Sequence, residues 1–304
     1  MRQVLSNFLI EQAATIEDFV VLSGDHGYAL FDGLRSESPS KFINVGVCEQ
    51  AMIGYAAGLS KNGFKVVVYG LSAFLPTRVF EFIKMDICYD HLPVIILGDG
   101  AGLVYNTLGA SHQCAEDISM LRTLANLDIY SPADKFEMNL CLKAAANSRN
   151  ASYIRIGKSD KPSIHNELHD LDMTRGFSKV NSSKSSVCFI ATGSMVSTAL
   201  EVSKDIDALV ISLFSLSTFD RHELLTILGS TKTVVTLEEH SVNGGIGSIV
   251  AEMVAESAIV SSRLLRIGIN NRFTESCGSY DYAILEHKLD VNSVKTRILS
   301  FLES

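Results

Sequence analysis

At 304 residues the chain exceeds one ordinary hydrophobic core and fits two domains. Hydrophobic residues make up 47% and charged residues 20%, a globular composition, and the net charge of −8 supplies no basic surface for nucleic acid. The cysteines form no Cys-x-x-Cys pair, so neither a zinc site nor a disulfide framework is suggested, and no apolar run reaches the roughly 18 residues that span a bilayer. A cytoplasmic protein in a reducing compartment is expected. In the first half, short apolar runs alternate with amphipathic segments, which predicts a parallel sheet covered by helices. Strands are expected over 18–23, 42–45, 65–69, 93–98, 127–131 and 152–156, and helices over 1–14, 49–60, 77–88, 116–125 and 134–146. A polar stretch from Lys158 to about Ser186 then suggests a boundary, with a first domain over 1–165, a linker over 166–179 and a second domain over 180–304. There the pattern resumes with strands over 187–192, 208–213, 233–237 and 264–267 and helices over 194–204, 245–256 and 292–302. The fold class is α/β, two domains with mostly parallel sheets.

The segment FINVGVCEQAMIGYAAGLSKNG (42–63) reads strand, glycine turn, helix and glycine stop, with Glu49 at the helix start. A first-turn Glu ordinarily only complements the helix dipole. Glu49, however, follows a strand end in an α/β sheet, where ligands gather, and stands among the apolar Val47, Met52 and Ile53. Here the sequence resembles the transketolase family, whose pyrimidine-binding domain carries this strand, glycine and Glu-Gln pattern. The resemblance implies that Glu49 hydrogen-bonds the aminopyrimidine ring of thiamine diphosphate. A carboxyl group sharing a proton with that ring favours the tautomer that activates the cofactor.

The next stretch, VVVYGLSAFLPTRVFEFIKMDICYDHLPVIIL (66–97), is similar to the family segment whose aromatic residues pack on the same ring. Phe74 matches one aromatic position and Leu71 stands at the other, which implies aliphatic contact on that side. From spacing alone both read better as core residues. The third block, GDGAGLVYNTLGASHQCAEDISMLRTLANLDIYSPAD (98–134), places His112 on a substrate-facing position of the family, as a proton shuttle or hydrogen-bond donor. In the usual pattern an acidic residue precedes the glycine of this loop and a His stands eight positions earlier. This chain has Leu108 and Gly100 there. Leucine accepts no hydrogen bond and glycine should open space, so an unusual acceptor is implied, such as a deoxy, keto or nucleotide-linked sugar.

Gly98-Asp99-Gly100, followed at the right spacing by Asn126, imitates the family's diphosphate and magnesium motif. Asn126 lies in a segment that resembles the pyrimidine domain, so the match is read as coincidental and no metal ligand is expected in this chain. Asp25, in VVLSGDHG, corresponds to a residue on the thiazolium side of the cofactor. Arg2 and Arg155 match arginines that grip a sugar phosphate, and Arg78 matches one shared with deoxyxylulose-phosphate synthase; a planar guanidinium suits phosphate oxygens. Each alone reads equally as a surface charge.

Further on, VVTLEEHSVNGGIGSIVAEMVAE (234–256) and RIGINNRFTESCG (266–278) resemble the transketolase C-terminal domain. The glycines of GGIGS lack the full dinucleotide fingerprint and read as helix packing and subunit contact. No catalytic side chain is expected in this domain. The resemblance covers nearly the whole chain and implies transfer of a two-carbon ketol unit between sugars. It also implies a separate N-terminal subunit that carries the diphosphate-binding domain with its Mg2+, in an α2β2 assembly. The alternatives are a deoxyxylulose-phosphate synthase-like condensation and a non-catalytic binding partner of a thiamine enzyme.

Overall fold

Runs such as Val66-Val67-Val68 and Ile95-Ile96-Leu97 are apolar on both faces, as strands covered on each side must be. In the computed structural model, which describes residues 1–167 and 171–304, they lie buried at the centre of a sheet. The first domain runs α1 (Arg2–Thr15), β1 (Phe19–Ser23), α2 (Asp32–Glu37), β2 (Phe42–Asn44), α3 (Glu49–Lys61), β3 (Lys65–Leu71), α4 (Leu75–Phe82), β4 (Ile95–Asp99), α5 (Asp117–Leu121), β5 (Leu127–Tyr130), α6 (Lys135–Asn147) and β6 (Ala151–Ile156). Its six strands are all parallel in the order β2-β1-β3-β4-β6-β5. The expected helix over 77–88 is instead α4 followed by a π-helical turn over Ile83–Cys88, with a break in helical geometry at Val79. Asp134 starts α6 by accepting the amides of Phe136 and Glu137.

The second domain holds β7 (Phe177–Lys179), β8 (Val187–Ala191), α7 (Met195–Val202), β9 (Leu209–Leu213), α8 (Arg221–Gly229), β10 (Thr233–Ser241), α9 (Ile246–Glu256), β11 (Arg263–Ile269), α10 (Tyr280–Glu286) and α11 (Val291–Glu303). Its sheet order is β11-β10-β8-β9-β7, parallel except for β7. Strand β7 lies in the stretch expected to be linker, so the second domain begins before Lys179. The expected strand over 233–237 extends to Ser241, because Glu238, Glu239 and His240 are buried rather than exposed.

The domains share one core. A single apolar cluster runs from Ile129 of β5 to Leu213 and Leu216 of the second domain. The outer edge of β5 is closed by an antiparallel bridge from Tyr130 to Ser215, with Leu216 N donating to Ile129 O at 2.8 Å and Ser131 N to Phe214 O at 2.8 Å.

Candidate active site

In an open parallel sheet, the crevice beyond the carboxyl ends of the strands opens where the strand order reverses. Here that reversal lies between β1 and β3. The loops after β1, β3 and β4 surround a cavity of about 320 Å³ lined by Arg2, Asp25, His26, Leu71, Leu108 and His112, together with Asp99 and Tyr105. Arg2, Asp25, Leu71, Leu108 and His112, each singled out in the sequence, are thus brought to one opening.

Glu49, Phe74 and Arg78 adjoin it. Glu49 is 3% exposed, and Arg78 Nη1 lies 3.3 and 3.4 Å from its two carboxylate oxygens. The Arg78 guanidinium sits 3.9 Å from the Phe74 ring centroid, and Phe74 meets the His112 ring edge-on at 5.3 Å. Asp25 takes a left-handed backbone (φ 64°) and accepts from Asn44 Nδ2 at 2.9 Å and the Tyr28 hydroxyl at 3.0 Å; these bonds hold its carboxyl below the usual range. His26 is not foreseen from sequence, where it is only the residue after Asp25. Burial holds its pKa below the ordinary value, against the pull of Glu49, Asp25 and Asp99, and its Nε2 is buried with no hydrogen-bond partner among the described residues.

Asp99 closes β4 and accepts from the Tyr105 hydroxyl at 2.6 Å and Arg2 Nη2 at 3.4 Å. This geometry corrects the reading of Gly100. A Cβ there would stand 1.9 Å from the Tyr105 ring, at a φ of +72°, so the glycine accommodates Tyr105 and opens no room for substrate. Leu108 does face the opening and is 55% exposed.

Arg155 is not among the residues that line this cavity. It is 2% exposed, its Nε lies 2.8 and 3.1 Å from the Asp117 carboxylate oxygens, and its Nη2 donates to Glu239 O at 2.7 Å. A guanidinium held in this way ties the first domain to the second, while its Nη1 makes no hydrogen bond to the described residues. Asp99 and Asn126 lie at opposite ends of the strands of the first sheet, since Asp99 pairs with Ile156 at the carboxyl end and Leu127 with Ala151 at the amino end. The intervening stretch of β6 spans roughly 17 Å, too far for one ion to touch both. Among the described residues, no group of three or more His, Cys, Asp or Glu side chains is placed to hold a metal.

The second domain reaches the site more closely than its sequence suggested. Buried Glu239 accepts from Leu103 N at 2.7 Å, from the Tyr280 hydroxyl at 2.6 Å and from Ser194 Oγ. Ser241 N donates to Ala115 O at 2.8 Å, and Ser119 N to His240 Nε2 at 3.3 Å. Burial pushes Glu238 up to about 7 and His240 down to about 4. In the bare sequence Glu-Glu-His looks like a solvated loop, and nothing in the pattern signals that it grips the neighbouring domain.

The fold and site define a two-domain α/β protein whose first domain offers a buried carboxylate, an aromatic face and a polar opening to a ligand. Residues 1–162 match the transketolase pyrimidine-binding domain and residues 176–293 the transketolase C-terminal domain, and the chain belongs to the transketolase family. It is 33% identical over 98% of its length, and 95% of the relative's, to a chain of Methanocaldococcus jannaschii named as a putative transketolase C-terminal section. It is 30% identical to one of the subunits of the apulose-4-phosphate transketolase of Actinobacillus succinogenes, over 87% of this chain and 86% of that one. A solved split-gene transketolase, described as an inactive β4 tetramer, superimposes with a TM-score of 0.87 at 31% identity, over 98% of this chain and 97% of that one. A pyrimidine-binding domain implies thiamine diphosphate, and a buried carboxylate at Glu49, an aromatic ring at Phe74 and an aliphatic wall at Leu71 are the groups that would fit an aminopyrimidine ring.

Proposed function

We propose that this chain is the second subunit of a two-chain transketolase that moves a two-carbon ketol unit from a ketose, as its phosphate, to an aldose or modified sugar. The observation that carries the reading is the buried Glu49 carboxylate at the head of α3, set beside the Phe74 ring and the cavity of Asp25 and His112. Thiamine diphosphate, when bound, supplies the carbon chemistry that breaks and forms the carbon–carbon bond. Glu49 would share a proton with the aminopyrimidine nitrogen, while Phe74 and Leu71 orient that ring. Asp25 would approach from the thiazolium side. His112, at the opening, would donate to or accept from the sugar's oxygens. Arg2, at 3.4 Å from Asp99, would turn to meet a phosphate group, and Arg78, now paired with Glu49, would have to give way as the ring enters.

An N-terminal partner would hold the diphosphate and its Mg2+, giving an α2β2 enzyme. Support comes from relatives that are themselves a section or subunit of a transketolase. It comes also from exposed apolar side chains on and around α3, among them Val47, Tyr55, Met85 and Tyr89. Along that helix a Cβ at Gly54 or Gly58 would meet open space, which lets another surface approach α3 closely.

The test is Glu49→Gln, assayed with the partner. Assembly should persist and turnover should fall about 100-fold or more, since the amide cannot share the proton. Turnover within a few-fold of wild type would remove Glu49 from the mechanism.

A further inference from the structure

Leu108 and His112 sit on the loop 102–114, whose ends are joined by Gly102 N to Cys114 O at 2.8 Å and Cys114 N to Gly102 O at 2.9 Å. A loop tied only at its ends can shift in its middle. Here Leu103 N on Glu239 and Tyr105 on Asp99 hold its first part, and two amide side chains hold the rest and reach the second domain. Buried Asn106 gives Nδ2 to the carbonyls of Gly278 and Ser279, each at 3.3 Å, and its main-chain carbonyl accepts from Gly278 N at 3.3 Å. Gln113 Nε2 donates to Asn106 Oδ1 at 2.5 Å, and Gln113 Oε1 accepts from Thr274 Oγ1 at 2.8 Å. Thr274 Oγ1 also lies 2.8 Å from His287 Nε2.

The direction of this chain is fixed at every link. The amide oxygen of Gln113 only accepts, so the Thr274 hydroxyl hydrogen is committed to it, and the proton shared with His287 must sit on Nε2. His287 is 5% exposed, burial together with the Arg272 charge holds its pKa below the ordinary value, and the Thr274 contact puts a proton on Nε2. The order is therefore His287 to Thr274 to Gln113, and Gln113 to Asn106. A further contact crowds the same loop: a Cβ at Gly109, where φ is +80°, would stand 2.9 Å from the Cys277 sulfur.

We propose that Thr274 and His287 of the second domain, acting through Gln113 and Asn106, are positioning residues that set how His112 and Leu108 are presented to substrate. The effect on turnover rests on the transketolase reading; the effect on the loop is a property of this chain alone.

The experiment compares Thr274→Val, which removes both hydrogen bonds, with Thr274→Ser, which keeps the hydroxyl. In the full chain without partner, hydrogen exchange over 103–114 and the NMR signals of the His112 ring are recorded. With the partner, kcat, KM and thiamine diphosphate affinity are measured. Thr274→Val should raise amide exchange in the loop about tenfold, shift the His112 signals and lower kcat roughly 10- to 100-fold, with cofactor affinity unchanged. Thr274→Ser should restore all three. If Thr274→Val does not fold, Gln113→Glu, which sets a carboxylate oxygen against Asn106 Oδ1, must give the same losses. Exchange and kcat within twofold of wild type in the first variant, or equal damage from the valine and serine substitutions, would overturn the proposal. Loosened exchange in a protein whose wild type transfers no ketol unit with any partner would keep the relay and discard the transketolase reading.

Discussion

Replacing Arg155 with Met separates a phosphate grip from a structural tie. The guanidinium is enclosed with the Asp117 carboxylate at 2.8 Å and the Glu239 carbonyl at 2.7 Å, while the Tyr153 hydroxyl also donates to Asp117 at 2.9 Å. Removing one partner of such a buried pair leaves the other charge uncompensated, at about 3–5 kcal/mol. The unpaired Glu239 carbonyl adds about 1 kcal/mol more. In Arg155→Met with Asp117→Asn both charges are gone and the introduced amide oxygen can still accept from Tyr153, so the double variant should recover about 2–3 kcal/mol of that loss. Urea denaturation followed by circular dichroism, for wild type, both single variants and the double, reads the cycle directly. A loss below about 1 kcal/mol in Arg155→Met, accompanied by a raised KM for phosphorylated sugars, would refute the argument and return Arg155 to the substrate.

Two further outcomes follow from the site and its supports. Leu108 is half-exposed, so water can partly serve a hydroxyl aimed at it, and the penalty should lie near the low end of about 1–3 kcal/mol. Ribose 5-phosphate should therefore be a poor acceptor, and Leu108→Asp should raise its kcat/KM up to about tenfold; ordinary wild-type turnover with no gain in the variant would exclude this. Burial pushes the Glu137 carboxyl up to about 7. Its folded-state pKa lies above the unfolded one, so its stabilising contribution is complete below about 4.5 and is lost as pH rises through 7. Glu137→Gln should consequently gain about 2–3 kcal/mol over wild type between pH 5 and pH 8, measured by urea unfolding at both; an unchanged difference would show that the carboxylate is satisfied when charged.

Central strands were legible because a parallel strand buried on both faces reads as an unbroken apolar run, as in Val66–Val68 or Ile95–Leu97. Strand β7 escaped notice because it is three residues long and lies in polar surroundings. The end of β10 escaped for a different reason: Glu238, Glu239 and His240 are ionisable, and sequence alone does not distinguish a solvated charge from one whose hydrogen bonds lie in another domain. The same ambiguity hid the tie of Arg155 to Asp117 and Glu239 and the hydrogen bonds through Thr274. Glycine carried a related ambiguity at Gly100, where the missing side chain could have meant room for substrate and instead makes room for Tyr105. Asp25, Leu71, Phe74 and His112 converge because local motifs fix their loops at strand ends, whereas His26 becomes visible only when those loops are assembled.

The seam between β5 and residues 214–217 bears on how such a gene tolerates fission. A cistron ending near codon 162 would encode a sheet with a raw edge where Tyr130 now pairs with Ser215, and with Arg155 and Asp117 stripped of their cover. Open edges recruit other edges, so the expected product is an aggregate. Selection would purge breaks at this junction, and the two domains should be inherited as a unit.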